Sequence, residues 1–142
     1  MLSVSPNASY DLLIVAGEAS GDEHAARLLS DLREARPYLK VAAIGGPKLD
    51  EAGADLLFDL TRHAVVGIFE VLKNYGFFNN LMADTLGWIG KVRPQAILFV
   101  DYPGFNLRLA SSLLDQGISQ KGGGDVRLLH YVSPQLWAWK PK

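Results

Sequence analysis

Short, uninterrupted apolar segments recur along this 142-residue chain, and they constrain its fold more than any other feature. Such runs lack the polar alternation of a half-exposed strand and are typical of parallel strands covered on both faces. We predict four of these strands and a short extra one near 54–58. The four are Asp11–Ala16, Lys40–Ile44, Ala96–Val100 and Val126–Val132.

Segments with helical spacing separate the predicted strands. The predicted helices are Asp22–Ala35, a short one near Pro47–Ala52, a long one within Gly67–Val92, and Asn106–Gln116. The glycine-rich patch Gln120–Gly124 is expected to be a surface loop. Because strands that alternate with helices form right-handed βαβ units, we predict an α/β fold. The expected architecture is a Rossmann-like doubly wound parallel sheet with helices on both faces.

Three turns that follow predicted strands are expected to share one edge of this sheet: Gly17–Asp22, Gly45–Pro47 and Asp101–Asn106. In open α/β sheets ligands bind beyond the carboxyl ends of the strands. A turn that opens a helix also presents backbone N–H groups to an anionic or polyhydroxylated ligand. The first turn is neither a G-x-G-x-x-G fingerprint nor a P-loop. The pattern therefore predicts a ligand site without naming the ligand.

Composition narrows the class of protein. The length suits one domain, and the formal net charge of −1 gives no reason to expect a nucleic-acid partner. The absence of cysteine excludes disulfides, thiolate nucleophiles and cysteine-based zinc sites. No acidic or histidine cluster has the spacing of metal ligands, so we expect no metal and no cofactor. Residues 1–10 lack the features of a signal peptide, and we expect a cytoplasmic protein.

Four motifs follow one another along the chain, and together they resemble the lipid-A-disaccharide synthase family. The resemblance covers about residues 11–142 and implies an inverting glycosyltransferase of the two-Rossmann GT-B architecture. The motifs are Gly17-Glu18-Ala19-Ser20-Gly21-Asp22, Val66-Gly67-Ile68-Phe69-Glu70-Val71-Leu72, Asp101-Tyr102-Pro103-Gly104-Phe105-Asn106, and His130-Tyr131-Val132-Ser133-Pro134-Gln135-Leu136-Trp137-Ala138-Trp139.

The resemblance implies a reaction and a place for it. Members of the family transfer 2,3-diacylglucosamine from its UDP derivative to 2,3-diacylglucosamine 1-phosphate (lipid X) and release UDP. They act as peripheral proteins at the cytoplasmic face of the inner membrane, without a metal. Residues 1–142 correspond to the N-terminal, acceptor-side domain, and the UDP-sugar-binding C-terminal domain is absent. The chain is therefore expected to be inactive alone and to self-associate.

Asp101 is the first catalytic candidate. A carboxylate at the end of a strand is well placed to deprotonate the acceptor 6-hydroxyl as that oxygen attacks the anomeric carbon. From position alone, capping of the following helix is the favoured role. The resemblance favours the base, because Asp101 aligns with an acidic residue that the family requires for activity. Many relatives carry a second Asp where this chain has Gly104, so Asp101 would act alone.

Glu18 is the second catalytic candidate, because it lies inside the first turn and could bind sugar hydroxyls or assist the base. Asp22 is expected to be the N-cap of the helix that follows, with substrate binding as the alternative. The glycines of this turn are expected to adopt a positive φ or to allow close approach of a ligand. The predicted substrate-binding residues are Gly17, Ser20, Gly21, Asp22 and Asn106.

A helical wheel from residue 68 to 89 places apolar side chains on two faces. Ile68, Leu72, Tyr75, Met82 and Leu86 form the expected core stripe, whereas Phe77, Leu81 and Trp88 fall roughly opposite. One interpretation is a shallow contact with the membrane or with acyl chains, and the other is a helix pair buried on both sides. The predicted contact residues are Ile68, Phe69, Leu72, Phe77 and Phe78.

The sequence also leads to expectations about His130 and Trp137 and leaves two other functions open. His130 lies in an apolar segment and is expected to be a core histidine without a catalytic role. Trp137 is expected to be structural, with stacking on a sugar or acyl group as the alternative. Two further functions stay open: a related GT-B or epimerase-like sugar-nucleotide enzyme with a soluble substrate, and a non-catalytic flavodoxin-like binding domain.

Overall fold

A computed structural model describes residue 2 and residues 9–17, 19–60, 75–100 and 103–131; side chains are described for all of these except 75, 77, 78 and 103–105. Within them the chain alternates strands with helices. The strands are β1 (Leu12–Ala16), β2 (Val41–Gly45), β3 (Asp55–Asp59), β4 (Ala96–Val100) and β5 (Arg127–Tyr131). The helices are α1 (Ala19–Ala35), α2 (Pro47–Glu51), α3 (Tyr75–Val92) and α4 (Pro103–Asp115), with a 3₁₀ turn at Gln120–Gly122.

The five strands form one parallel sheet in the order β3-β2-β1-β4-β5. From β1 the chain first winds outward through β2 and β3, and it then returns to continue on the other side of β1 through β4 and β5. The direction of winding therefore reverses between β1 and β4, which is the switch point where open α/β sheets bind ligands. The predicted fold class is confirmed.

The core occupies both faces of the sheet because successive side chains of a buried strand point to opposite sides. Leu13 and Val15 of β1 pack with side chains of α3 and α4. Leu12, Ile14 and Ala16 pack on the other face with side chains of α1 and α2. All five residues of β1 are buried, as expected for a central parallel strand. The helices thus cover both faces, as the doubly wound architecture requires.

The helix α1 begins three residues earlier than the sequence predicted, at Ala19 instead of Asp22. Its buried residues are Gly21, Asp22, Ala25 and Leu29, which lie on one side of the helix. The prediction that Asp22 is the N-cap of this helix is therefore wrong, since Asp22 lies at the fourth helical position.

The buried face of α3 differs from the wheel prediction. Leu81 and Ile89 are fully buried, and Trp88 is 4 % exposed. Placing Leu81 and Trp88 opposite the core is therefore wrong, because these two side chains belong to the core that α3 shares with the sheet. Of the expected core stripe, Met82 is buried at 9 % exposure and Leu86 is half-buried, whereas Ile68 and Leu72 lie outside the described residues. Within the described side chains of α3, the exposed positions carry polar or small residues, among them Asn79, Asn80, Asp84 and Lys91.

The strand β5 lies at the end of the sheet and is largely exposed. His130 is exposed and its ring lies against that of Phe99, with ring centroids 5.0 Å apart. The prediction of a core histidine is wrong because β5 has a strand neighbour on one side only within the described sheet. Leu129 is 43 % exposed for the same reason. Residues 120–124 lie at the surface, as predicted, with no residue of the patch buried.

Candidate functional site

The carboxyl ends of β2, β1 and β4 lie side by side, in register. Ala16 pairs with Val100, and Val15 pairs with Ile44. The chain therefore leaves these neighbouring strands at one edge of the sheet, immediately before Gly17, Gly46 and Asp101. Glu18, Asp101 and Tyr102 lie outside the described residues, so the roles predicted for Glu18 and Asp101 stay predictions.

Asp22 forms the best-defined polar contact at this edge. Its side chain is 2 % exposed, and its carboxylate accepts three backbone hydrogen bonds from the start of α2. The amide of Gly46 donates to Oδ1 at 2.9 Å, Lys48 to Oδ2 at 2.9 Å and Leu49 to Oδ1 at 3.1 Å. Asp22 thus caps a helix that is remote in sequence instead of its own.

This cap explains how a helix of five residues is maintained. The first N–H groups of any helix lack intrahelical acceptors. The N-cap residue of α2 is Gly46, which has no side chain to accept a hydrogen bond from them. Pro47 needs no acceptor at the first helical position. The carboxylate of Asp22 also provides the negative charge that a helix N-terminus favours.

The turn at Gly45–Pro47 is consequently occupied from within the protein. Its amides were expected to be available to a ligand, together with those of the two other turns. Gly46 N–H is bound to Asp22, and the surroundings of Gly45 are tight. A Cβ at Gly45 would lie 2.5 Å from Leu49 Cδ1 and 3.4 Å from Asp22 Oδ1. Close packing, not ligand binding, accounts for the glycine at this position.

The remaining residues of the first turn differ in exposure. Gly17 and Gly21 are buried, whereas Ser20 is exposed in the first turn of α1. Gly21 is helical, so the alternative of a positive φ is wrong for this glycine, and close approach stays a prediction. The predicted contact of Asp22 with substrate competes with three hydrogen bonds that its carboxylate already makes.

Asn106 lies on the other side of the switch point, in the first turn of α4. Its side chain is 4 % exposed, and its Oδ1 has no hydrogen-bond partner among the described residues. Leaving a buried amide oxygen without a donor costs roughly 1–3 kcal/mol. Such an atom can accept a hydrogen from a hydroxyl group, and the substrate-binding role of Asn106 stays a prediction.

His24 and Tyr131 lie at this edge, and sequence reasoning did not place them there. Tyr131 pairs with Val100, and its ring lies 6.4 Å from that of His24 on α1. Both side chains are half-buried. The two residues are more than one hundred positions apart, so only the strand order brings them together.

The opposite, amino-terminal end of the sheet holds a separate polar contact. The hydroxyl of Tyr10 donates to Asp55 Oδ2 at 2.7 Å, and Lys40 Nζ lies 5.3 Å from the centre of the Tyr10 ring. Burial, this hydrogen bond and the charge of Asp55 raise the pKa of Tyr10 from 10.0 to about 12. The contact connects the segment before β1 to the start of β3 and is structural.

The predicted membrane contact stays a prediction. Ile68, Phe69 and Leu72 lie outside the described residues, and so do the side chains of Phe77 and Phe78. In the part of the chain that the structure covers, none of the helices has both the length and the apolarity to span a bilayer. Trp137 also lies outside the described residues.

Comparison with known proteins assigns the family. Residues 12–142 match the model of a family described as lipid-A-disaccharide synthetase. Lipid-A-disaccharide synthase 1 of Legionella pneumophila (strain Paris) is 43 % identical over 137 residues, which are 96 % of this chain and 34 % of that protein. Lipid-A-disaccharide synthase of Nitrosococcus oceani is 40 % identical over 134 residues, which are 94 % of this chain and 33 % of that protein.

A third relative, lipid-A-disaccharide synthase of Coxiella burnetii (strain Dugway 5J108-111), is 37 % identical over 129 residues, or 91 % of this chain and 32 % of that protein. The chain thus spans about a third of the length of the curated relatives that it matches. The ordered motifs, the parallel sheet with its switch point and the match over residues 12–142 agree, and the chain belongs to the lipid-A-disaccharide synthetase family.

Proposed function

We propose that this chain forms the acceptor-side part of an enzyme that makes the lipid A disaccharide. The reaction is the transfer of 2,3-diacylglucosamine from its UDP derivative to lipid X, with inversion at the anomeric carbon and release of UDP. The observation that carries the proposal is the family match over residues 12–142, together with relatives that are named lipid-A-disaccharide synthase.

In this proposal Asp101 is the general base. The 6-hydroxyl oxygen of lipid X attacks the anomeric carbon while its proton passes to the Asp101 carboxylate, and the bond to UDP breaks. The sheet supports this role, because Asp101 follows Val100 directly in the chain and Val100 is the last residue of β4. Glu18 follows the neighbouring strand β1 by two positions and is proposed to assist the base or to bind sugar hydroxyls.

Substrate contacts are proposed on both sides of the switch point. Ser20 is exposed in the first turn of α1, whereas Gly17 and Gly21 are buried. We propose that the missing side chains of these two glycines let the backbone come close to the sugar. Asn106 has a buried Oδ1 without a donor in the described ranges, and this oxygen is proposed to accept a hydroxyl hydrogen. The side chains of Ser20 and Asn106 can form hydrogen bonds with an acceptor sugar, which is polyhydroxylated and carries a phosphate.

The complete enzyme is proposed to act on a membrane surface. Its substrates carry acyl chains, and Ile68, Phe69, Leu72, Phe77 and Phe78 are the proposed residues for contact with these chains or with the cytoplasmic face of the inner membrane. A further, C-terminal domain is proposed to bind the UDP-sugar, since the relatives are about three times as long. Residues 1–142 alone are then inactive.

The test is a binding titration of this chain, in which tryptophan fluorescence reports the bound fraction. Lipid X is titrated in one series, UDP in a second, and an acyl-free glucosamine 1-phosphate in a third as control. Saturable binding of lipid X without binding of UDP is the expected result for an acceptor-side domain. Binding of UDP without lipid X would assign this chain to the donor side or to another sugar-nucleotide enzyme.

A further inference from the structure

Asp22 connects two helices that begin next to each other at the carboxyl edge of the sheet. We propose that Asp22 is a positioning residue, which holds the first turn of α1 and its exposed Ser20 in place for the acceptor. This inference rests on the proposed function and adds a residue that acts on substrate binding without contacting the substrate.

The connection is short and directional. Asp22 is the fourth residue of α1, so it lies within one turn of Ser20 and about 3 Å further along the helix axis. Its carboxylate is held by three amides of α2, and α2 follows β2 after a single residue, Gly46. The start of α1 is thus fixed against the end of a buried strand.

Burial makes this contact stiff. Asp22 is 2 % exposed, so water does not compete for its oxygens. Ser20, two positions earlier, is exposed at the same edge. If the carboxylate is removed, the first turn of α1 keeps its helical bonds and loses its attachment to α2. The expected consequence is a displacement of Ser20, which weakens acceptor binding more than it slows chemistry.

The chemistry at this position requires a carboxylate. Asn in place of Asp22 would retain one oxygen, but its NH₂ group would face the N–H of Lys48, which needs an acceptor. Glu would retain both oxygens on a side chain that is one methylene longer. Asn can still accept from Gly46 and Leu49, so the Asp22→Asn variant is expected to weaken the attachment by the loss of the Lys48 hydrogen bond, and Asp22→Glu to retain part of it.

Arg33 provides a matched control. It lies in the last turn of α1, where its Nη2 donates to the carbonyl oxygen of Gly53 at 3.0 Å, directly after α2. Arg33→Ala therefore also removes a contact between α1 and the α2 region, but at the far end of α1, away from Ser20. A general loosening of these helices would affect both variants alike.

The experiment measures steady-state transfer by the full-length enzyme with lipid X and the UDP-sugar varied separately. For Asp22→Asn we expect the KM for lipid X to rise about 10-fold, as for the loss of a hydrogen bond to a charged group. The KM for the UDP-sugar and kcat per folded enzyme should change less than about 3-fold. Asp22→Glu should recover part of the affinity for lipid X, and Arg33→Ala should leave all three constants near those of the unsubstituted enzyme.

An unchanged KM for lipid X in Asp22→Asn, or an equal rise in Arg33→Ala, would overturn the positioning role. If Asp22→Asn does not fold, the Asp22→Glu variant provides the test. Normal affinity of this variant for lipid X, together with slow amide exchange at Gly46, Lys48 and Leu49, supports the inference. The same affinity with fast exchange at these amides contradicts it. Failure of the unsubstituted enzyme to transfer the sugar would instead refute the proposed function.

Discussion

At the residue scale, two buried polar side chains at the carboxyl edge of the sheet differ in their hydrogen bonds. Asp22 accepts three backbone hydrogen bonds from the protein and supports the start of α2. Asn106 is almost as buried, but its Oδ1 has no donor within the described part of the chain. Of these two residues, Asn106 is therefore the one that we predict to bind a ligand.

Asp101→Ala in the full-length enzyme is expected to lower kcat by about 10²-fold or more, because general-base catalysis contributes about that much. Transfer of the sugar, measured as UDP released, checks this expectation. Asp115→Ala, at the exposed end of α4, is the control and should leave the rate near that of the unsubstituted enzyme. Near-normal turnover of the Asp101 variant would rule out its role as the base.

Tyr10 predicts a pH effect on stability. The pKa of its hydroxyl is about 12 in the folded protein and 10.0 as its ordinary value, so the folded state favours the neutral form. The stabilisation from Tyr10 should be complete below pH about 10 and should be lost as the pH rises to about 12. Urea unfolding of the protein and of Tyr10→Phe should show a stability difference that shrinks over this interval. Tyr38→Phe is the control, since Tyr38 is 96 % exposed.

At the element scale, the packing of α3 shows which of its faces meets the sheet. Leu81, Thr85 and Ile89 lie at four-residue intervals and are all fully buried. The opposite side carries exposed Asn80, Asp84 and Lys91. From Asn79 onward α3 is an ordinary amphipathic helix that is buried on one side.

Leu81→Ala should lower the free energy of unfolding by about 2–5 kcal/mol, because a fully buried leucine leaves a cavity when it is truncated. Asn80→Ala, next to it on the exposed side, should change stability by less than about 0.5 kcal/mol. Urea denaturation measures both. Equal stability of the two variants would contradict the buried position of Leu81.

The membrane contact is predicted to depend on the aromatic residues before and at the start of α3. Replacing Phe69, Phe77 and Phe78 with Ser should weaken binding to vesicles that contain anionic lipids and should increase solubility. Vesicle sedimentation measures the bound fraction. Leu107→Ser, which changes a leucine that is 62 % exposed on α4, is the control for general surface apolarity. Unchanged sedimentation of the triple variant would count against the contact.

At the scale of the whole molecule, apolar side chains remain exposed around β5. Leu129 of β5 and Leu114 of α4 are each 43 % exposed, and Leu107 of α4 is 62 % exposed. Leu107 and Leu114 lie two turns apart on one side of α4, whereas Leu129 lies on the other face of the sheet, because its neighbour Leu128 packs with α4. Exposed apolar side chains that share a face are typical of surfaces that meet a partner.

Residues 1–142 alone are predicted to self-associate, because these leucines are then exposed to solvent. Light scattering over a range of protein concentrations should give an apparent mass that rises above 15.5 kDa. Replacing Leu107, Leu114 and Leu129 with Ser should lower the apparent mass toward the monomer. Monodisperse monomer at high concentration in the unsubstituted chain would contradict the prediction.

The sequence alone determined the elements that depend on near neighbours. The ends of each predicted strand agree with the structure to within one residue over the described part. A short apolar run indicates a buried strand without any information about distant residues. The prediction that the turns after β1, β2 and β4 lie at one edge also agrees with the structure, because the carboxyl ends of neighbouring parallel strands lie side by side. The family could be named from motifs that are contiguous in the chain.

Only the tertiary structure decided what depends on distant partners. The strand order put Tyr131 beside Val100, and it left His130 exposed at the end of the sheet. The packing of α1 against α2 made Asp22 the cap of a helix more than twenty residues away. The sequence does not show which helix an aspartate caps, because its carboxylate binds any N–H group that the fold brings within reach.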